Sequence, residues 1–215
     1  MRAVIFANGS FNNPASFSMD FDAEDLVIAA DGGANLCSKL GIIPDILIGD
    51  MDSVQPELIN ELRSEGTQLI VYPREKDQID LELALSYALA QEAHEVILFG
   101  LLGGRLDLSL ANLMLLVKDD WDSMSLVVSD GPDTAYVMHG DDNIVLRGNP
   151  GDIVSLVPLT HTVTDVSSQG LRWPLQNTTL EIGSTLSISN EFLEHSVEIN
   201  IGQGKLLLVH RVNQE

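Results

Sequence analysis

The feature that most constrains this chain is the spacing of apolar residues over its first two thirds. Short apolar runs at residues 3–7, 26–30, 46–48, 68–72, 96–99 and 125–128 alternate with stretches of helical periodicity at 34–40, 56–64, 79–91 and 108–117. Runs this short and this apolar suit strands buried on both faces. Strands alternating with helices predict a parallel sheet covered by helices on both sides. Ligands in such sheets sit beyond the carboxyl ends of the strands.

The texture changes after Gly131. Pro, Gly and Thr become frequent and long helical patterns stop. Short β-like runs follow at 144–147, 152–158, 162–166, 179–182, 186–189, 197–201 and 205–210. This pattern predicts a small all-β sandwich or barrel. The expected fold class is therefore α/β: an N-terminal parallel-sheet, Rossmann-like α/β domain over residues 1–132, then a small all-β sandwich domain over 133–215.

Charge narrows the partners. The 215 residues include 11 Lys+Arg against 32 Asp+Glu, a formal net charge of −21. Such a surface repels nucleic acid, whose binding rests on neutralising phosphates with Lys and Arg. Anionic membranes are repelled for the same reason. A phosphorylated substrate is repelled too, unless metal cations stand between it and the carboxylates. The single cysteine, Cys37, excludes an intramolecular disulfide and packs as a small apolar residue. The opening MRAVIFANGS reads as a first strand rather than a signal peptide, and no apolar run approaches the ~20 residues of a membrane span. The expectation is a cytoplasmic protein, in which the sequon at Asn177 is chance.

Each expected strand end in the first part runs into acid or glycine. Strand two meets Asp31-Gly32-Gly33-Ala34-Asn35, and strand three meets Gly49-Asp50-Met51-Asp52-Ser53. Strand four meets Arg74-Glu75-Lys76-Asp77-Gln78-Ile79-Asp80, and strand five meets Gly103-Gly104-Arg105-Leu106-Asp107. In one sheet these loops open on the same edge, so Asp31, Asp50, Asp52, Asp77, Asp80 and Asp107 can converge. Converging carboxylates repel unless a cation neutralises them. Hard oxygen ligands of this kind suit Mg²⁺, which takes one or two carboxylates plus substrate phosphates. A magnesium–polyphosphate site also reconciles an acidic protein with a phosphorylated substrate.

Spacing adds detail. Asp50 and Asp52 reach one cation only if the chain bends at Met51. Asp77 and Asp80, three apart at a helix start, would share one helix face. Gly103 and Gly104 allow close backbone approach before a helix N-terminus, and Arg105 offers a bidentate fork for phosphate. Each item also has a plain structural reading. Asp31 and Asp107 fit helix caps, Asp77 and Asp80 fit solvated charges in a first turn, Gly103-Gly104 fits an ordinary turn, and Arg105 fits a surface ion pair. Repetition at four successive strand ends favours the functional reading.

Other chemistries find no support. The histidines 94, 139, 161, 195 and 210 lack metal-ligand spacing. The serine-hydrolase elbow, the phosphate loop Gly-x4-Gly-Lys-[Ser/Thr] and the dinucleotide fingerprint Gly-x-Gly-x-x-Gly are all absent.

Four motifs, ADGGAN (30–35), GDMDS (49–53), KDQID (76–80) and GGRLDLSLAN (103–112), resemble in order and spacing those of the thiamine pyrophosphokinase family. GLRWPL (170–175) and GSTLSISNEF (183–192) resemble its C-terminal signatures. The resemblance implies an N-terminal α/β domain, a C-terminal β-sandwich and a homodimer with active sites at the subunit interface. It implies transfer of pyrophosphate from ATP to the hydroxyl of thiamine, leaving AMP, with Mg²⁺ as cofactor. It assigns Asp50, Asp52 and Asp77 to magnesium and the phosphate site, and Asp31 to arranging them. Arg105, with Gly103, Gly104 and Asn112, would meet the nucleotide, while Asp80 and Asp107 support the site. Trp173, Ser187, Ser189 and Asn190 would face thiamine from the second domain.

Three positions depart from the family pattern. Met51 stands where Phe is usual, Ile79 where Thr is usual, and Leu108 where His or Gln is usual. The last two each remove a polar group beside the site. From the residues alone, Asp77 and Asp107 are both candidates to orient or accept the hydroxyl proton. Trp173 suits stacking on a cationic heterocycle, or filling a sandwich core. Two other functions remain on the residues: a diphosphokinase acting on another hydroxymethyl heterocycle such as a pterin, and a nucleotide-binding regulatory module without turnover.

Overall fold

The computed structural model describes residues 1–11, 17 and 19–213. The chain divides into two units, Met1–Gly131 and Pro132–Glu215.

In the first unit, β1 (Arg2–Phe6), β2 (Leu26–Ala30), β3 (Ile46–Gly49), β4 (Gln68–Val71), β5 (Glu95–Phe99) and β6 (Ser125–Asp130) are strands. They pair in parallel in the order β6-β5-β1-β2-β3-β4. The helices α1 (Gly33–Leu40), α2 (Pro56–Ser64), α3 (Asp80–Ala90) and α4 (Leu106–Leu115) follow β2, β3, β4 and β5. Central strands are covered on both faces: Ala3, Val4, Ile5 and Phe6 of β1 are wholly buried. Each such large side chain contributes about 1.5–3 kcal/mol on leaving water. The edge strand β4 is only partly covered. Pro56 fixes the first turn of α2, where the missing N–H has no partner to lose.

This strand order positions the site. The chain leaves β1 toward β2, β3 and β4, but leaves β5 toward β6 on the other side. The connections from β1 and β5 therefore lead to strands on opposite sides of this point of the sheet, whose carboxyl edge is where α/β sheets bind ligands. The two loops run side by side: Gly9 N–H donates to the Gly100 carbonyl at 2.6 Å and Ser10 N–H to that of Leu102 at 2.8 Å.

In the second unit, β7 (Asp133–His139), β9 (Ile153–Pro158), β12 (Asn190–Glu191) and β14 (Lys205–Arg211) pair antiparallel in the order β12-β9-β14-β7. A second antiparallel sheet holds β8 (Asn143–Arg147), β10 (Thr162–Gln169), β11 (Thr178–Glu181) and β13 (Ser196–Asn200), in the order β11-β10-β13-β8. Strand residues alternate between buried and open, as in β9. The buried set, including Met138, Leu156, Val166, Phe192, Ile199 and Leu208, forms one core between the sheets.

Three details differ from the sequence expectations. The run 186–189 is not a strand but a turn at 186–187 followed by a bend at 188–189. Its alternation is inverted: Leu186 and Ile188 point outward while Ser187 is buried, and Ser189 takes a left-handed φ of 58° that breaks the pleat. β7, with its apolar run at residues 135–138, was not among the expected strands. Helix α3 begins at Asp80, because Ile79 is extended (φ −76°, ψ 159°). Asp77 therefore lies in the preceding loop and does not share a helix face with Asp80.

Candidate active site

Sharp backbone bends aim the carboxylates of the first unit at one another. Asp31 follows β2 with φ 44°, and Met51 follows β3 with φ 65°. The bend at Met51 turns Asp50 and Asp52 to the same side, and Asp50 Oδ1 accepts the Asp52 N–H at 3.1 Å. Gly49, with φ 147°, lets β3 pass between two acids. A Cβ there would stand 2.9 Å from Asp31 Cβ and 2.9 Å from Asp80 Oδ1.

Ligand atoms of Asp31, Asp50 and Asp52 all lie within 4.8 Å of one another. Asp31 is almost wholly buried, and its Oδ1 has no hydrogen-bond partner among the described residues. A buried carboxylate oxygen left unpaired costs free energy unless something positive meets it. Three hard oxygen ligands, one of them unpaired, fit a divalent cation. Asp31 is not a helix cap: Gly32 holds that position on α1, and no side chain caps the helix.

Lys76, in the loop after β4, reaches into the same cluster. Its Nζ stands 3.5 Å from Asp50 Oδ2 and 3.1 Å from Asp80 Oδ1. The Asp52 N–H holds the Asp50 carboxyl below the usual carboxylate range, with Lys76 assisting against burial. Burial pushes Asp80 up, and repulsion from Asp31 and Asp50 adds to this, while Lys76 opposes it. Burial works against the Lys76 ammonium, but Asp80 and Asp50 together more than offset it and raise its pKa.

Beside the cluster lies a cleft of about 450 Å³. Asp31, Asp52 and Asp80 line it on one side, and Gly103, Gly104, Arg105 and Asn112 on another. Asn112 Nδ2 donates to the Leu101 carbonyl at 2.8 Å and so fixes the loop after β5. Arg105 and Asp107, both exposed, form a two-pronged pair at 3.1 and 2.5 Å. Ile79 and Leu108 also line the cleft, giving it an apolar wall.

The expected residues thus separate into two groups. Asp31, Asp50, Asp52 and Asp80 come together, and the Gly103–Arg105 loop borders them. Asp77 is exposed and lies outside the group of Asp31, Asp50 and Asp52. Lys76 was not among the expected site residues. Its signal was its place four residues before Asp80, a spacing that usually signifies only a helical ion pair.

In the second unit, Trp173 is 55% exposed, so it does not fill the sandwich core. Arg172 lies over its ring at 5.0 Å and is held by Glu191 at 2.7 Å. Asn190 brackets the Trp173 backbone: its Oδ1 accepts the Trp173 N–H at 3.1 Å, and its Nδ2 donates to the Trp173 carbonyl at 2.7 Å. Ser187 Oγ donates to the buried Leu156 carbonyl at 2.8 Å, and the Ser189 N–H donates to Ser155 Oγ at 3.0 Å. Asn190 therefore fixes the Trp173 backbone, while Ser187 ties its turn to β9.

Two family models match this chain. The thiamin pyrophosphokinase catalytic domain matches residues 18–128, more than half its length. The chain belongs to the thiamin pyrophosphokinase family. The vitamin B1 binding domain of thiamin pyrophosphokinase matches residues 143–206. A thiamine pyrophosphokinase of Bacillus subtilis is 29% identical over 95% of this chain and 96% of its own. A rice relative, thiamine pyrophosphokinase 1, is 26% identical over 83% of this chain and 76% of its own. The crystal structure of a Bacillus subtilis thiamine pyrophosphokinase superposes with a TM-score of 0.86 at 26% identity, covering 100% of both chains. One from Geobacillus thermodenitrificans gives 0.82 at 26% identity, covering 100% of this chain and 99% of its own. In this family member, the catalytic-domain match contains the whole carboxylate cluster and the vitamin-binding match contains Trp173.

Proposed function

We propose that this protein is a thiamine pyrophosphokinase, transferring pyrophosphate from ATP to the hydroxyl of thiamine and releasing AMP. The observation that carries the reading is the unpaired, buried Asp31 oxygen beside Asp50 and Asp52, at the edge of a glycine-bordered cleft. Asp31, Asp50 and Asp52 would hold Mg²⁺, which supplies charge neutralisation to the polyphosphate. The Gly103–Arg105 loop would accept the phosphate chain. Arg105 must leave Asp107 to offer its fork to phosphate. The thiamine hydroxyl oxygen attacks the β-phosphorus, the bond from that phosphorus to the bridging oxygen of AMP breaks, and the hydroxyl proton passes to a carboxylate, Asp77 or Asp107, or to water. Catalysis here is positioning and charge balance rather than covalent chemistry on the protein. Trp173, with one face under Arg172, would offer its ring to the cationic heterocycle.

We place the active chain in a homodimer with the site at its interface. Leu106, Leu110 and Met114 form an exposed stripe along α4 beside the cleft, and Leu186, Ile188 and Leu193 stand exposed in the second unit. Apolar patches of this kind mark association surfaces. Among the described residues no helix is long and apolar enough to cross a membrane, and we assign the protein to the cytoplasm. The deciding experiment supplies purified protein with Mg²⁺, ATP and thiamine. Thiamine diphosphate and AMP should appear together, and AMP should require thiamine. Absence of thiamine diphosphate would overturn the assignment.

A further inference from the structure

Lys76 stands where a second cation would otherwise be wanted. Asp50 faces two ways: Oδ1 lies on the Asp52 N–H, and Oδ2 faces Lys76. Asp80 Oδ1 also faces Lys76, packed against Gly49. The Lys76 side chain is only 13% exposed. Lysine is seldom buried so far unless opposite charge requires it. Asp31 Oδ1 and Asp80 Oδ1 are both buried without a hydrogen-bond partner among the described residues, but Asp80 Oδ1 has the Lys76 ammonium 3.1 Å away and Asp31 Oδ1 has no such cation. The Asp50–Asp80 side of the cluster is therefore met by a mostly buried ammonium, whereas on the Asp31–Asp52 side the chain offers only the exposed Arg74, 3.5 Å from Asp52 Oδ2.

We propose that Lys76 is a built-in counter-ion that limits this carboxylate cluster to one divalent cation, held by Asp31, Asp50 and Asp52. The ammonium occupies the Asp50–Asp80 side, where two carboxylates would otherwise form a second cation position. Lys76 acts through these carboxylates and is a positioning residue. The inference rests on the reading that Asp31, Asp50 and Asp52 hold a divalent cation.

The test is Mn²⁺ titration of the purified full chain, followed by electron paramagnetic resonance without nucleotide. Weak surface binding to so acidic a protein is subtracted using Asp52→Asn. Wild type should take up one Mn²⁺ at the cluster. Lys76→Met should bind the first ion roughly tenfold more tightly, since affinity follows ligand charge, and should take up a second. Lys76→Arg should keep the wild-type stoichiometry. A purely structural lysine would give the opposite result, weaker binding in Lys76→Met, and that outcome overturns the proposal. So does unchanged binding in a folded Lys76→Met. Two ions in wild type overturn it without any variant. Wild type that binds no Mn²⁺ defeats the cation reading itself, and the lysine proposal with it.

Discussion

Asp31 and Asp152 are both almost wholly buried, one in each unit, and differ in what surrounds them. Asp152 is saturated. Its Oδ2 accepts the Asn149 N–H at 2.9 Å and faces His210 Nε2 at 3.2 Å, and its Oδ1 accepts the Asn213 N–H at 2.9 Å. It ties the start of β9 to the end of β14. Asp31 Oδ1 finds no such donor, and its nearest charged neighbours include other acids. One carboxylate is a brace made by the chain alone. The other has a buried oxygen that no described group meets. Burial by itself does not distinguish them; satisfaction does.

Substitutions can break or sharpen this contrast. The largest effect is expected at Asp52, beside Asp31. Asp52→Asn should lower thiamine-dependent AMP release at least roughly a hundredfold, since a metal-held phosphate is worth several kcal/mol. Its thermal unfolding should stay close to wild type, because Asp52 is half exposed. Unchanged turnover would remove Asp52 from the cation site.

Asp152→Asn should show the reverse. An amide in place of that carboxylate leaves a donor unmatched and costs about 1–3 kcal/mol of stability, seen in denaturant unfolding, with Michaelis constants unaltered. Asp31→Asn should leave the metal-free protein as stable as wild type, or more so. It should also abolish the rise in unfolding temperature that Mg²⁺ gives wild type. If Asp31→Asn weakens the metal-free protein as Asp152→Asn does, the contrast fails.

A smaller effect tests whether the second unit is more than a brace. Trp173→Ala should raise the Michaelis constant for thiamine roughly tenfold, about 1.4 kcal/mol of lost stacking, and leave that for ATP nearly unchanged. The opposite pattern would place the ring away from thiamine.

The smallest is a pH effect. Burial alone would raise Asp152, but the Asn149 and Asn213 amides with His210 more than offset it and hold its pKa below the usual range. A depressed folded-state pKa contributes stability above the unfolded value of about 3.9 and loses it as pH falls through the folded value. The stability gap between wild type and Asp152→Asn should thus be full at neutral pH and close on acidification below about 4. A gap independent of pH would mean that the Asp152 charge is irrelevant.

Much of the fold was legible because it repeats local rules. Helix α2 spans Pro56–Ser64 in both readings, since proline signals a first turn and the apolar spacing carries it on. The strands of the first unit are apolar runs that a covered parallel sheet requires. Reading failed where tertiary packing inverted a pattern. Residues 186–189 alternate like a strand, yet Ser187 turns inward because the Leu156 carbonyl waits for its hydroxyl. It also failed at the cluster. Position along the chain does not tell which of Lys76 and Asp77 points in, since both precede α3, which begins only at Asp80.

Gly49 carries a consequence for how the site is ready before any ligand arrives. Its φ of 147° and the 2.9 Å approaches to Asp31 and Asp80 leave room for a hydrogen atom and nothing larger. The backbone at the end of β3 therefore limits how closely those acids approach, within what the Asp80 side chain allows. Rotamers re-adjust within nanoseconds, whereas a backbone paired to both neighbouring strands moves only with the sheet. The spacing of Asp31 and Asp80 about Gly49 is thus tied to how β3 docks in the sheet.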